Sequence, residues 1–144
     1  MSRKSRRRRL LKALSRVPGA YTLLAFLLAR RVSVLGPSML PTLHPGERIL
    51  FDRLAYVRSR PHVHDIVLVA HPLRPDLRMI KRLAGVPGDT IDNQTLAKGQ
   101  YWVLGDNSTE SSDSREFGPI HRQHLLARAW LRYWPTDHWR NFNP

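Results

Sequence analysis

Asp65-Ile66-Val67-Leu68-Val69-Ala70, followed after a short break by Arg78-Met79-Ile80-Lys81-Arg82-Leu83, is the pair of segments that decides the fold. The first is a continuous apolar run of the length of a strand, the pattern of a central strand covered on both faces. The second is rich in apolar residues but carries a lysine in its middle. Leu73-Arg74-Pro75-Asp76 between them has the composition of a hairpin turn, which predicts an antiparallel pair. Pro61, Pro72 and Pro75 exclude a long helix through this region.

Working outward, the same reading continues. Gln100-Tyr101-Trp102-Val103-Leu104 is a third strand, and Val32 and Val34 alternate with Ser33 and Leu35 ahead of a Gly36-Pro37 turn. Pro45-Gly46 and Pro87-Gly88 each precede strand-forming residues. Proline sets one turn angle there and glycine supplies a positive φ. His124 to Trp134 fits a closing strand or a short helix equally well, since Leu125, Leu126, Ala129 and Trp130 match neither period cleanly. The body is expected to be mostly β: a small, antiparallel, barrel-like domain spanning 32–144, after a basic, helical, membrane-anchoring segment over 1–31.

Charge supports that division. The formal net charge is +13, yet residues 1–46 hold ten of the 24 Lys/Arg and no carboxylate, so the rest of the chain is only mildly basic. Arg3, Lys4, Arg6, Arg7, Arg8 and Arg9 precede an apolar stretch from Val17 to Ala29, closed by Arg30 and Arg31. A cationic run before an apolar helix is how a signal-anchor begins, which makes a lipid bilayer the expected partner. The apolar stretch alone is shorter than the roughly 20 residues a full span needs. Twenty are reached from Leu10 only if Lys12 and Arg16 snorkel to the headgroups. Arginine arms also bind nucleic acid, so a basic β-barrel adaptor is a competing, non-enzymatic reading.

The chain contains no cysteine, which rules out disulfides, thiolate metal sites and a thiol nucleophile. Seven histidines are present, of which His62 and His64 stand two apart in a predicted loop without the spacing of a metal site. No metal and no cofactor is expected. A serine–histidine–aspartate triad fits the residue inventory, because triads are defined by geometry rather than spacing.

A different constellation fits better. Ser38 lies in Gly36-Pro37-Ser38-Met39-Leu40-Pro41-Thr42-Leu43, a turn-rich segment presenting a hydroxyl between apolar neighbours. Lys81 has Met79, Ile80, Leu83 and Val86 around it and no acid within four residues on either side. Ordinary lysine, with a pKa near 10.4, is protonated at neutral pH and useless as a base. Burial lowers that value by up to about 3–5 units, and a neutral amine can then activate a hydroxyl. The third segment, Gly105-Asp106-Asn107-Ser108-Thr109-Glu110-Ser111-Ser112-Asp113-Ser114-Arg115, is dense in short polar side chains of the kind that build rigid loops.

In this order the three segments resemble the type I signal peptidase family, membrane proteases that use a serine–lysine dyad. The likeness runs from Gly36 to Trp134 and is nearest to the short branch, similar to mitochondrial inner membrane peptidases and nickel superoxide dismutase maturation proteases. Only eleven residues separate Asp89 from Tyr101, where larger relatives carry an extra β domain.

The resemblance implies a leader-removing endopeptidase on the extracytoplasmic face of a bacterial plasma membrane, or alternatively in the mitochondrial inner membrane. Ser38 would be the nucleophile, with its backbone N–H facing the oxyanion, and Lys81 the general base oriented by Ser111. Asp113 and Arg115 would brace the loop near Asp106. Met39, Leu40 and Ile80 would wall a shallow pocket for small side chains of a preprotein bound as an extended strand. Gly36 stands where some relatives carry a serine that completes the oxyanion hole, and Ser108 where many carry arginine. A self-cleaving repressor-type protease shares the dyad, but no self-cleavage linker or DNA-reading helix precedes Ser38. Whether a second subunit takes part is not legible.

Overall fold

A computed structural model of the chain describes residues 19–142. The cationic run from Arg3 to Arg16, on which the signal-anchor expectation rests, lies outside the described residues. Helix α1 (Ala20–Leu28) opens the described chain and is followed directly by β1 (Arg30–Ser33). The first strand thus begins ahead of the boundary expected after residue 31. At nine residues α1 is about 14 Å long, and no described helix is long and apolar enough to cross a membrane.

The body is one antiparallel sheet of eight strands. Besides β1 it contains β2 (Arg48–Asp52), β3 (Ile66–Ala70), β4 (Arg78–Gly85), β7 (Gln100–Leu104), β8 (Ile120–His121), β9 (Leu125–Trp134) and β10 (Arg140–Asn141). Their order is β1-β2-β9-β3-β4-β7-β8, with β10 added to β9. The segment left open between helix and strand is β9, ten residues long, and its buried Leu125, Ala127 and Ala129 alternate as a strand requires. It is the spine of the sheet, pairing with β2, β3 and β10.

The continuous apolar run in β3 has a direct cause. Ile66 and Leu68 enter one core with Met39, Leu43, Phe51 and Ala127, whereas Val67 and Val69 enter a second with Leu83, Val103, Ile120 and Leu125. A strand covered on both faces has no side that needs to be polar. Antiparallel pairing sets Ile66–Ala70 of β3 against Arg78–Arg82 of β4, with the predicted turn between them.

Both Pro-Gly turns carry glycine at positive φ, +91° at Gly46 and +99° at Gly88. The short span before Tyr101 holds a two-stranded hairpin, β5 (Thr90–Ile91) and β6 (Gln94–Thr95). Its turn residues Asp92 and Asn93 both have positive φ, the pairing that a tight right-twisted hairpin requires. Two single-turn helices, α2 (Ala55–Arg58) and α3 (Ser114–Phe117), complete the described elements used below.

Candidate active site

The Ser38 turn is pinned from below by packing and from above by hydrogen bonds. Met39 and Leu43 are fully buried in the first core, and Leu43 N–H donates to the Met39 carbonyl at 2.9 Å. Burying such side chains stabilises by about 2 kcal/mol each, so the intervening backbone has little freedom. The loop after β7 supplies the upper clamp. Asn107 N–H donates to Ser38 O at 3.0 Å, and Asn107 Nδ2 donates to Pro37 O at 3.3 Å. Ser38 itself is half-buried, and its N–H has no acceptor among the described residues.

Lys81 sits on β4, only 3% exposed. Its Nζ donates to Ser111 Oγ at 2.8 Å, and Ser111 Oγ donates in turn to Asp113 Oδ2 at 2.7 Å. Burial lowers the Lys81 pKa; Asp113 pulls it back up, while Arg115 lowers it further. The carboxylate does not reach the amine as an ion pair, because a hydroxyl stands between them.

Asp113 is wholly buried, which by itself would raise its pKa. The opposite outcome prevails. Arg115 Nε and Nη2 hold its oxygens at 2.9 and 2.7 Å, and Gly105 N–H and the Ser111 hydroxyl add further bonds, keeping the carboxyl well below the usual range. The ion pair expected between Asp113 and Arg115 is present. Asp106 is tied elsewhere: Arg82 grips it with two bonds of 2.8 and 2.7 Å, and also reaches His64 O and Thr42 Oγ1. Ser108, placed in a short 3-10 turn, takes no part in that brace.

Ser38 and Lys81 line one cleft of about 280 Å³, together with Val32, Val34, Gly36, Met39, Met79 and Ile80 among others. The two do not share a hydrogen bond in this structure. Met39 and Ile80 line this cleft, and Leu40 is not part of the lining. It lies in the turn closed by Leu40 N–H to Pro37 O, on the far side of Met39 in the chain. A Cβ at Gly36 would meet nothing within 4 Å.

Three contributors had no assigned role in the sequence: Asn107, Arg82 and Gly105. A Cβ on Gly105 would lie 2.1 Å from Ser111 Oγ and 2.6 Å from Ser38 O, so glycine there lets the two halves of the site touch. The sequence offered only a weak signal for it, a glycine at the end of a strand. Among the described residues no group of His, Asp and Glu is arranged to hold a metal.

The sequence model described as "Signal peptidase, peptidase S26" matches residues 7–96 and 92–134. Mitochondrial inner membrane protease subunit 1 of Schizosaccharomyces pombe is 40% identical over 115 residues, covering 72% of this chain and 73% of the relative. A mitochondrial ATP-independent inner membrane protease subunit 1b of Arabidopsis thaliana is 38% identical over 122 residues, covering 76% and 70%. A probable signal peptidase I-1 of Synechocystis is 30% identical over 154 residues, covering 81% and 77%. With the buried lysine, the serine of the shared cleft and matches over most of its length, the chain belongs to the signal peptidase family of serine endopeptidases.

Proposed function

We propose that Ser38 Oγ is the nucleophile and neutral Lys81 the general base of a membrane-attached peptidase that removes N-terminal leaders from preproteins. The observation carrying this is the state of Lys81: buried, bonded to a hydroxyl rather than a carboxylate, and opening on the cleft that holds Ser38.

In the reaction Lys81 accepts the Ser38 proton as Oγ attacks the scissile carbonyl carbon. The oxyanion takes the unengaged Ser38 N–H. As the C–N bond breaks, Lys81 returns the proton to the leaving amine, giving an acyl-enzyme. Water then attacks the ester as Lys81 takes a proton from it, the acyl C–Oγ bond breaks, and Lys81 hands that proton to Ser38 Oγ, releasing the leader as a carboxylic acid that ionises in water.

An extended substrate has a place to lie. β4 pairs with β3 from Arg78 onward but with β7 only from Arg82, so one edge of Arg78–Lys81 is open. A peptide adding there as a strand brings its carbonyl toward Ser38. Membrane attachment draws on the relatives' names and on α1, whose Leu23, Phe26, Leu27 and Leu28 are exposed. Tyr21 on that helix donates to the buried Asp52, and Arg58 stacks over its ring, so the helix is latched to the body. The extracytoplasmic face of a bacterial membrane and the mitochondrial inner membrane both suit this arrangement.

The test is mass spectrometry of leader-bearing preproteins incubated with the protein and with its Ser38→Ala variant. One defined cut, lost in the folded variant, is expected; equal cleavage by both would overturn the assignment.

A further inference from the structure

Ser38 lies within a stretch, 34–44, whose two ends are both fastened to Glu47. Val34 N–H donates to Glu47 O at 2.9 Å, and His44 N–H donates to Glu47 Oε2 at 3.1 Å. Gly46 N–H returns a bond to Val34 O at 2.8 Å, which closes the stretch into a loop. Glu47 is 4% exposed and is gripped by Arg132 of β9, whose Nη1 donates to its Oε1 and Oε2 at 3.0 and 3.2 Å. The same Nη1 reaches Thr42 O at 3.4 Å, and Nε donates to His138 O at 2.7 Å. Neither Glu47 nor Arg132 lines the cleft.

The pair is buried where stability alone gives little reason for charge. An ion pair taken out of water contributes no more than well-packed apolar side chains of the same size. Apolar side chains could not bond His44 N–H and Thr42 O, backbone groups that need partners once water is excluded. The effect of the pair is therefore on geometry. We infer that Glu47 and Arg132 are positioning residues for the nucleophile. They tie the chain leaving the Ser38 turn to the chain entering it, so that Oγ is aimed at the scissile carbonyl. They act through the backbone, from outside the cleft. The inference rests on the serine–lysine reading above and adds how its nucleophile is held.

Packing of Met39 and Leu43 and the bonds from Asn107 act on the turn itself, between Pro37 and Leu43. The carboxylate and the guanidinium add the flank beyond it, at Thr42 and His44. Releasing that flank lets Ser38 drift while both cores stay filled. A displacement of about 1 Å at a reacting atom costs on the order of a hundredfold in rate, and a turn still held by packing loses about tenfold.

The test uses the full-length protein in detergent and a leader peptide spanning a cut found by the mass spectrometry above. Arg132→Met, Arg132→Lys and Glu47→Gln are each assayed well below their own melting temperatures. Arg132→Met is expected to lower kcat about tenfold while KM stays within about twofold. Arg132→Lys, whose ammonium can replace Nη1 against Glu47 and Thr42, should recover most of that loss. Glu47→Gln keeps an acceptor for His44 N–H but loses the charge facing Arg132, and should fall between the two. If Arg132→Met does not fold, the order of Arg132→Lys above Glu47→Gln decides the question. Unchanged kcat in the folded variants, with only the melting temperature lowered, overturns this inference alone. So does a rise in KM at constant kcat, which would assign the pair to substrate binding. No cleavage of any peptide by the unmodified protein overturns the endopeptidase reading and this inference together.

Discussion

The Ser111 hydroxyl donates its only proton to Asp113, at 2.7 Å, and therefore meets Lys81 solely as an acceptor. That ordering fixes the amine. Lys81 spends one N–H on Ser111, and a neutral amine then keeps its lone pair for the cleft. A carboxylate in direct contact would favour the ammonium; one hydroxyl removed, and gripped by Arg115, it holds the relay in place with less pull on the proton.

Arg115→Gln is expected to shift the pH profile. Arg115 lowers the Lys81 pKa, so its removal raises it. In the proposed reaction Lys81 acts only when deprotonated, and the acid limb of kcat/KM should therefore move to higher pH. A limb that stays in place, or moves down, would show that Arg115 serves the loop alone.

Lys81→Met should abolish cleavage yet stabilise the fold, by about 1 kcal/mol near neutral pH. The sign follows from burial. Between its lowered folded pKa and the ordinary 10.5, the unfolded chain binds a proton that the folded chain does not, so the unmodified protein gains stability as pH rises. The variant lacks that slope, and its advantage should fade toward pH 10.5. Denaturant melts across pH, compared between the two proteins, check this.

Gly105→Ala forces a methyl group into Ser111 and the Ser38 carbonyl. Overpacking of this kind costs about 1–3 kcal/mol. Displacement at the site should lower kcat/KM by about a hundredfold. The measurement is paired: thermal melting and peptide kinetics on one preparation, with an unchanged rate counting against the close packing of the two loops.

Gly36→Ser tests whether a second oxyanion donor can be supplied from this position, as the proposed reaction would allow. The position is open and lines the cleft beside Ser38. A donor of this type contributes about a hundredfold in established sites, so even an imperfectly aimed hydroxyl should raise kcat several-fold. Melting temperature should not change. A fall in kcat would place the oxyanion away from residue 36.

Local patterning was enough for much of the framework. The apolar run of β3, the lysine-bearing β4, the turn between them and the two Pro-Gly turns all depend on neighbours within a few residues, and each stands as expected. Leu40 does not line this cleft although its neighbour Met39 does, a distinction that composition within a turn does not mark. β9 was ambiguous because its period became visible only with both cores in view. β8 and β10, two residues each, are too short for any periodicity to mark.

By itself the amino-acid order determined that a serine turn, an amine-bearing strand and a polar loop exist, since each is written in adjacent residues. Only the tertiary structure decided what they do to one another. Asn107 closing over the Ser38 turn, Arg82 reaching Asp106 and Gly105 yielding space to the Ser38 carbonyl are long-range contacts. Such contacts are set by how strands register across the sheet, and a register couples residues tens of positions apart that no local pattern connects.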